Sequence, residues 1–495
     1  MIKTRINRHD MEYFLYAMAK AFCKDAFVYA PDTAEHNMAE DDEAPNEDLV
    51  DCSIEGQKLV VNIFKGNVLP KNFKAEYDMA GADIDIKDAI RKGIYDAFAE
   101  YFGRGLPWGN LTGIRPIKLY LKKMLEKSEG DSISEEVVAT AVSDMSRIYG
   151  VSGAKGRLAA DIAVKEHNII GSLSSDGYSI YIGIPFCPSR CLYCSFTSNP
   201  ISQYRNRIDV YLNALKAEML AAVDYMKGKC PDTIYIGGGT PSALEAAELD
   251  RLLGDICSII PIEHLKEFTV EAGRPDSITE EKLQAIRKYP VTRISINPQT
   301  FSDDTLKLIG RRHSALDVVN AFNMARAAGF DNINMDIILG LPEESMEDIR
   351  NTMTEVIRLA PESLTVHSLA IKRASILKQV MEEKGYKADL DFGKAMDYVL
   401  EEAGLIGLKP YYLYRQKDMG GNLENTGLAK EGREGIYNVL MMEEVQTIIA
   451  CGAGTVTKRV YGDGRIERCD NVKDVALYIS KIEEMIDRKR QLFKD

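Results

Sequence analysis

Apolar and polar positions alternate along this chain in two rhythms, and the change falls near residue 171. Residues 8–23 carry apolar side chains at helical spacing with no proline, which predicts a first helix. Two short alternating runs follow, 49–54 and 58–64, separated by Glu55-Gly56-Gln57, and these predict a hairpin. Residues 87–102 are again helical and stop at Gly103-Arg104-Gly105. A Gly/Pro-punctuated loop comes next, Pro107-Trp-Gly-Asn-Leu-Thr-Gly-Ile-Arg-Pro116. From 118 to 170 the pattern is helical, with breaks at Gly130 and Gly150. Residues 1–170 are therefore expected to form an N-terminal α+β domain, and 171–177, rich in turn formers, a linker.

Beyond the linker, short β-branched runs alternate with helical stretches. The predicted strands are 180–184, 233–236, 268–270, 293–296, 333–339 and 364–368, and the predicted helices are 210–226, 243–257, 280–288, 315–328, 346–359 and 376–403. A repeated strand-then-helix order argues for parallel strands joined by right-handed crossovers. These units predict a barrel or incomplete barrel over 178–405, with a doubly wound open sheet as the alternative, and 406–495 as a C-terminal extension. In a β/α barrel the chemistry collects at the C-terminal ends of the strands. Here the first strand runs into Cys187-Pro-Ser-Arg-Cys191-Leu-Tyr-Cys194, the second ends in Gly237-Gly-Gly-Thr-Pro241 and the third in Glu271. The fourth ends in Asn297-Pro-Gln299, the fifth carries Asp336, and the sixth ends near His367 and Ala370.

Three thiolates at C-x3-C-x2-C spacing are one short of a closed site. They suit an iron–sulfur cluster with an open position, or a zinc ion with a distant fourth ligand. The triglycine lets backbone approach a ligand closely, with N–H groups offered to a carboxylate or phosphate, or it exists only to let the following helix pack. It is not a phosphate-binding Walker loop, because no Gly-Lys-Ser/Thr follows. Glu271, Gln299, Arg311 and Asp336 add two acids, an amide and a guanidinium to the same rim, a set suited to a ligand with an ammonium, a carboxylate and a ribose diol. Trp108, Arg115 and the nearby Arg104 form either an anion or partner site or a loop packed by the Trp.

Composition narrows this picture without redirecting it. The chain has 495 residues, 45% hydrophobic and 28% charged, with a formal net charge of −13. That field repels nucleic acid, and no basic run with interleaved aromatics overrides it. The first ten residues carry charge where a signal peptide needs an apolar run, and no stretch approaches the roughly 20 apolar residues of a spanning helix, so no membrane span and a cytoplasmic address are expected. Nine cysteines, an odd number, fit a reducing compartment; Cys23, Cys52, Cys230, Cys257, Cys451 and Cys469 are expected in the core. The acidic run 39–48 reads as a solvated loop.

Taken together, Tyr181-Ile-Gly-Ile-Pro-Phe-Cys187, the cysteine loop, the Gly-Gly-Gly-Thr-Pro run, Glu271, Gln299, Arg311 and Asp336-Ile-Ile-Leu-Gly-Leu-Pro342 resemble the radical S-adenosylmethionine enzymes. Within them the chain resembles the oxygen-independent coproporphyrinogen III oxidase family over residues 178–417. Leu111-Thr-Gly-Ile-Arg-Pro116, Pro410-Tyr-Tyr-Leu-Tyr-Arg-Gln-Lys417 and Gly421-Asn-Leu-Glu-Asn425 are similar to its HemZ-type coproporphyrinogen dehydrogenase subgroup. The resemblance implies an α/β fold, an incomplete (β/α)6 TIM-like barrel with an N-terminal α+β domain and a C-terminal α+β extension. It implies a [4Fe–4S] cluster on Cys187, Cys191 and Cys194, whose fourth iron is chelated by S-adenosylmethionine. An injected electron, from a reductant such as flavodoxin or ferredoxin, then cleaves the sulfonium to a 5′-deoxyadenosyl radical. Carried over residue by residue, Tyr181, Tyr193, Gly238, Gly239, Thr240, Glu271, Gln299, Arg311, Asp336 and Ala370 line the S-adenosylmethionine pocket.

The implied reaction is an oxidoreductase step of heme biosynthesis, decarboxylation of two propionates of coproporphyrinogen III to give protoporphyrinogen IX. A tetrapyrrole with four carboxylates wants cations, and Arg312, Lys372, Arg373, Arg415 and Lys417 stand near the expected mouth, Arg415 among Tyr411, Tyr412 and Tyr414. A solvated basic loop over core tyrosines is the other reading of that segment. The sequence departs from the established oxidase at Phe196, where that enzyme has a further cysteine two residues after the third ligand, and in its long N-terminal region. Alternatives are a heme chaperone on a similar barrel, another radical tetrapyrrole-modifying enzyme, and a zinc-stabilised binding module. The chaperone's His-Asn-x-x-Tyr-Trp motif is missing, since the one Trp is Trp108. His313 and His367 are expected to be structural rather than axial heme ligands.

Overall fold

β-Branched residues on alternating positions favour strands that pair side by side, and the computed structural model places nearly all of them in two sheets. The structure describes residues 2–23, 48–64, 72–79, 84–112, 115–128, 130, 132–226, 228–370, 376–386, 390–415 and 423–494. The acidic run 39–48 lies outside these except for Asp48. The chain divides into two compact units, one comprising Met1–Val164 with Arg415 and Leu423, the other Lys165–Tyr414 and Glu424–Asp495.

In the first unit the predicted hairpin is present as β2 (Asp48–Glu55) and β3 (Lys58–Phe64), turned at Gly56-Gln57. It is flanked by β1 (Ile2–Ile6), parallel to β2, and β4 (Phe73–Asp78), antiparallel to β3. Val50 and Cys52 on β2 and Leu59, Val61 and Ile63 on β3 are buried. They form one core with Leu15, Met18 and Phe22 of the helix Glu12–Phe22 and with Ile90, Ile94 and Phe98 of the helix Ile86–Phe102. Two further helices follow, Pro116–Leu125 and Glu135–Tyr149, and a third, Gly153–Gly171, begins in this unit and ends in the second.

The second unit is built on an 11-stranded sheet. Its centre is the six strands read from the sequence: β5 (Tyr178–Ile184), β8 (Thr233–Gly238), β9 (Glu267–Gly273), β10 (Arg293–Ile296), β11 (Ile333–Leu339) and β12 (Ser363–Ser368). Two-residue strands β6 (Phe186–Cys187) and β7 (Asn199–Pro200) pair within the cysteine loop. The six long strands are parallel to one another and follow in chain order. A doubly wound sheet reverses its order at a switch point; here the order never reverses among the six, and the fold is the incomplete (β/α)6 barrel.

The C-terminal residues continue the same sheet. β13 (Lys409–Tyr414) and β14 (Asn425–Ala429) add antiparallel strands beyond β12, while β15 (Thr447–Cys451) runs parallel beside β5 and carries β16 (Val456–Val460) and β17 (Ile466–Asp470) at the other edge. The expected helix 376–403 is in fact two, Ile376–Lys384 and Phe392–Leu405. The first stops at Gly385, whose φ is 68°, and the second starts on Asp391, whose side chain accepts from the Lys394 amide.

The pleat sorts the side chains of this sheet into two kinds. One face carries Ile180, Ile182, Ile234, Ile236, Phe268, Val270, Ile294, Met335, Ile337, Leu364 and Val366, all buried. The opposite face presents Ser179, Tyr181, Thr233, Tyr235, Glu267, Glu271, Arg293, Ser295, Asn334, Asp336, Thr365 and His367. A sheet face that is polar and still largely buried must satisfy its donors and acceptors internally or on a ligand.

Candidate active site

The site begins where β5 and β8 end. The amide of Gly239 donates to the Ile184 carbonyl at 2.7 Å and that of Thr240 to the Phe186 carbonyl at 2.7 Å. A Cβ at Gly239 would lie 2.6 Å from the Phe186 oxygen and 3.0 Å from the Cys187 sulfur, so only glycine lets the two loops close on each other. One amide of the triglycine, that of Gly239, is thus spent on the end of β5, and the next along the chain on the residue before Cys187. Thr240 Oγ1 also donates to Cys187 Sγ at 3.4 Å.

The rest of the loop is held from β9 and from the segment after β10. The Leu192 amide donates to the Ile309 carbonyl at 3.1 Å. Arg274, directly after β9 and only 3% exposed, donates through Nη1 to the Ser189 carbonyl at 2.9 Å and to Ser189 Oγ at 2.8 Å, and it faces Cys191 Sγ at 3.7 Å. Its Nε and Nη2 meet the Asp276 carboxylate at 2.9 and 2.6 Å. Burial pushes that carboxyl up, but His313 and Arg274 more than offset it and hold it below the usual range. Arg274, Asp276 and the buried His313, whose Nδ1 is 3.8 Å from Asp276, were not singled out as cofactor residues from the sequence. Arg274 stands at a strand end like Glu271, which is the signal that would have found it.

All three thiols are free; Cys187 and Cys191 are buried and Cys194 is half-buried. They lie near enough for each charge to act on its neighbours, and burial holds Cys187 and Cys194 above the ordinary thiol range. Among the described residues no three His, Cys, Asp or Glu side chains gather closely enough around one point for a single metal ion. A cubane cluster binds each thiolate to a different iron, and three free thiols on one short loop suit that pattern with one iron left open. The other six cysteines split, with Cys23, Cys52 and Cys451 buried as expected and Cys230, Cys257 and Cys469 only half-buried. Phe196, in place of a further cysteine, is 72% exposed.

The predicted cofactor residues fall into two groups. Tyr193 and Arg311 join the cysteine loop. The Arg311 guanidinium lies beside Tyr193 and Cys191 and donates to the Asn297 carbonyl at 2.6 Å, and burial among Leu306, Ile309, Leu369 and Leu377 pushes the Tyr193 phenol up. Glu271, Asp336 and Tyr181 belong to the polar sheet face, and Gln299 follows β10 and bridges to Ile337 of β11. Tyr235 donates to Glu271 Oε1, and burial pushes the Glu271 carboxyl up to about 7. A Cβ at Gly237 would lie 2.8 Å from Glu271 Oε2, so the triglycine run touches both groups.

Asp336 behaves oppositely to Glu271. Burial pushes its carboxyl up, but His367 beside it and the amide of Asn334, at 2.8 Å, bring it below the ordinary value. Gln299 has a φ of 69°, rare for a residue with a side chain; its amide donates to the Asp336 carbonyl at 2.9 Å and its carbonyl accepts from Ile338 at 2.9 Å. Tyr181 is mid-strand, stacked on Tyr235 and Tyr437 with centroids 6.0 Å away in each case. Gly238 pairs with Ile184 in the ladder, and Ala370 follows β12 by two residues.

Of the cations expected at a tetrapyrrole, Lys372, Arg373 and Lys417 lie outside the described residues, and Arg312 is exposed. Arg415 corrects the expectation. It is buried, lies 5.4 Å over the Trp108 ring and donates to the Leu111 carbonyl. It fastens the 107–112 loop, whose fully buried Trp108 makes the packed-loop reading the right one. Arg104 likewise donates to the Phe22 carbonyl, at 2.6 Å.

Comparison with known proteins agrees with this geometry. Residues 181–356 match the radical SAM superfamily. The oxygen-independent coproporphyrinogen-III oxidase-like protein HemZ of Bacillus subtilis is 38% identical over 410 residues, 82% of this chain and 80% of that protein. The heme chaperone HemW of the same organism is 38% identical over 208 residues, 41% of this chain and 54% of its own length, so the chain spans about half of that relative. Among solved structures, the coproporphyrinogen III oxidase HemN of Escherichia coli superposes with a TM-score of 0.51 at 19% identity, covering 66% of this chain and 73% of HemN, a likeness of fold. The superfamily works with a [4Fe–4S] cluster and S-adenosylmethionine, and a thiol triad braced at the mouth of a polar barrel face is what those cofactors need. This chain belongs to the radical S-adenosylmethionine superfamily and, within it, to the family of HemZ-type oxygen-independent coproporphyrinogen III oxidase-like proteins.

Proposed function

We propose that the chain is a radical S-adenosylmethionine enzyme acting on a tetrapyrrole, and that it decarboxylates coproporphyrinogen III to protoporphyrinogen IX without oxygen. The observation that carries this reading is the junction of the three-thiol loop with the polar barrel face, through Gly237, Gly239 and Thr240. Cys187, Cys191 and Cys194 would hold the cluster, and Tyr181, Tyr193, Gly238, Gly239, Thr240, Glu271, Gln299, Arg311, Asp336 and Ala370 would line the S-adenosylmethionine pocket. When bound, these cofactors supply a one-electron route to a carbon-centred radical. The protein's own part is orientation and exclusion of water. Thr240 and Arg274 aim the sulfurs, the apolar cluster around Tyr193 keeps one side dry, and the ionised Asp336 is poised to accept from hydroxyls. The tetrapyrrole is inferred from the HemZ relative, which aligns well beyond the barrel. A soluble low-potential carrier such as a flavodoxin or ferredoxin is the proposed reductant; among the described residues no helix is long and apolar enough to cross a membrane.

The heme-carrier reading rests on the HemW relatives, which align over less than half of this chain. Against it stand the barrel histidines: His313 is 4% exposed beside Asp276, and His367 faces Asp336 at 3.9 Å. Anaerobic reconstitution tests the proposal. The reduced protein is expected to hold about four irons per chain and cleave S-adenosylmethionine, and Cys187→Ala, Cys191→Ala or Cys194→Ala to abolish both. Coproporphyrinogen III is expected to lose two carboxyl groups as carbon dioxide in the same assay. Cleavage with product masses that retain every propionate would overturn the substrate and leave the radical enzyme standing.

A further inference from the structure

We propose that Arg274 is a positioning residue of the cluster, its buried guanidinium donating to the Cys191 sulfur and thereby making the cluster easier to reduce. This rests on the reading that Cys187, Cys191 and Cys194 hold the cluster. Arg274 lies between Gly273, whose φ is 70°, and Pro275, so the backbone leaves β9 sharply and turns the side chain inward. A guanidinium this buried is costly unless its fork is filled. Asp276 fills one side bidentately, leaving Nη1 fixed toward the loop, where it meets Ser189 and, at 3.7 Å, Cys191 Sγ.

A purely structural arginine would be satisfied by Asp276 and the Ser189 carbonyl. The third contact singles out one thiol. Cys187 receives neutral donors from Thr240 and Ser198, and Cys194 a neutral backbone donor from Phe196. Among the described residues Cys191 is the thiol that guanidinium donors reach, Arg274 and also Arg311, whereas the charges of Arg274 on Cys187 and of Arg190 on Cys194 act without a hydrogen bond. Charge-assisted hydrogen bonds are about twice as strong as neutral ones. A cluster gains a negative charge when an external carrier gives it one electron, so a fixed cation and an N–H donor at a ligating sulfur favour the reduced form.

The test compares wild type, Arg274→Gln and Arg274→Lys after anaerobic reconstitution, reading iron per chain and the midpoint potential from an EPR-monitored redox titration. Arg274→Gln is expected to hold its iron and to shift its reduction equilibrium about tenfold toward the oxidised form, about 59 mV for one electron. A potential equal to wild type overturns the inference. Should Arg274→Gln hold no iron, retention by Arg274→Lys assigns the requirement to the charge beside Cys191 and supports the inference. Loss of iron in both assigns Arg274 to loop anchoring alone and overturns it. A wild type that takes up no iron overturns the cluster reading itself and this inference with it, whereas four irons with unchanged variant potentials overturn only the inference.

Discussion

At the scale of single residues, Glu271 and Asp336 show how one barrel face gives two carboxyls different states. Glu271 is pushed up to about 7 first by burial, with the hydrogen bond from Tyr235 pulling down and the Asp336 charge pushing up. The folded value is above the ordinary 4.5, so the neutral form is favoured in the fold. The stability this contributes is fully present below 4.5 and is lost as pH rises through about 7, where the fold must host the carboxylate. Glu271→Gln keeps an acceptor for Tyr235 and carries no charge. In thermal melts the wild type is expected to lose stability relative to Glu271→Gln between pH 5 and pH 8, roughly the span of the shift; parallel curves would show that Glu271 titrates at its ordinary value. The thiols, Glu271, Gln299 and Asp336 were singled out in the sequence because each stands at the end of a predicted strand or, for Asp336, within one, with a chemistry of its own. Arg274 stands at a strand end too but was passed over, because Gly-Arg-Pro reads as a turn and its burial, which makes the charge need partners, shows only in the fold. Arg415 was misread for the converse reason: its partner Trp108 lies far upstream, and its neighbouring tyrosines suggested a ligand instead.

At the scale of elements, β15, which joins the parallel strands to β16 and β17, is fixed by a buried ion pair as well as by its own sequence. Glu218, on the helix Ile208–Tyr225, accepts from the Gly452 amide at 2.7 Å, Tyr478 at 2.6 Å, Asn471 at 2.8 Å and Lys489 of the helix Ile482–Leu492. Lys489 also donates to the Ala450 carbonyl at 2.6 Å, and both side chains of the pair are 1% exposed. Removing one partner strands the other charge. Lys489→Met is expected to cost about 3–5 kcal/mol in denaturant unfolding, and Glu218→Gln with Lys489→Met to recover much of it. A cost near zero for the single variant would show that Glu218 is carried by its neutral donors. The six central strands were readable because each is a β-branched run followed by its own crossover helix. β15 was not, since Thr447-Ile-Ile-Ala-Cys451 pairs with β5, hundreds of residues away, and periodicity within a segment does not name a distant partner. The same limit hid β1, which is parallel to β2 across a long connection.

At the scale of the whole molecule, each of the two units has buried apolar clusters of its own, and only the second unit bears on the candidate chemistry. Leu15, Met18, Leu59, Val61, Ile94 and Phe98 close the first unit without any residue of the barrel, while every predicted cofactor residue from Tyr181 to Ala370 lies in the second. Units with separate cores commonly depart from all-or-none unfolding. Calorimetry of the full chain is therefore expected to show more than one transition. A ligand stabilises only the unit whose native form binds it, by about 2.7 kcal/mol at one hundred times its dissociation constant. S-adenosylmethionine added to the reconstituted protein is expected to raise the transition of the second unit, to raise it less in Asp336→Asn, and to leave the other where it was. If both transitions rise together, the first unit takes part in holding the cofactor, and the division of labour drawn from the two units is wrong.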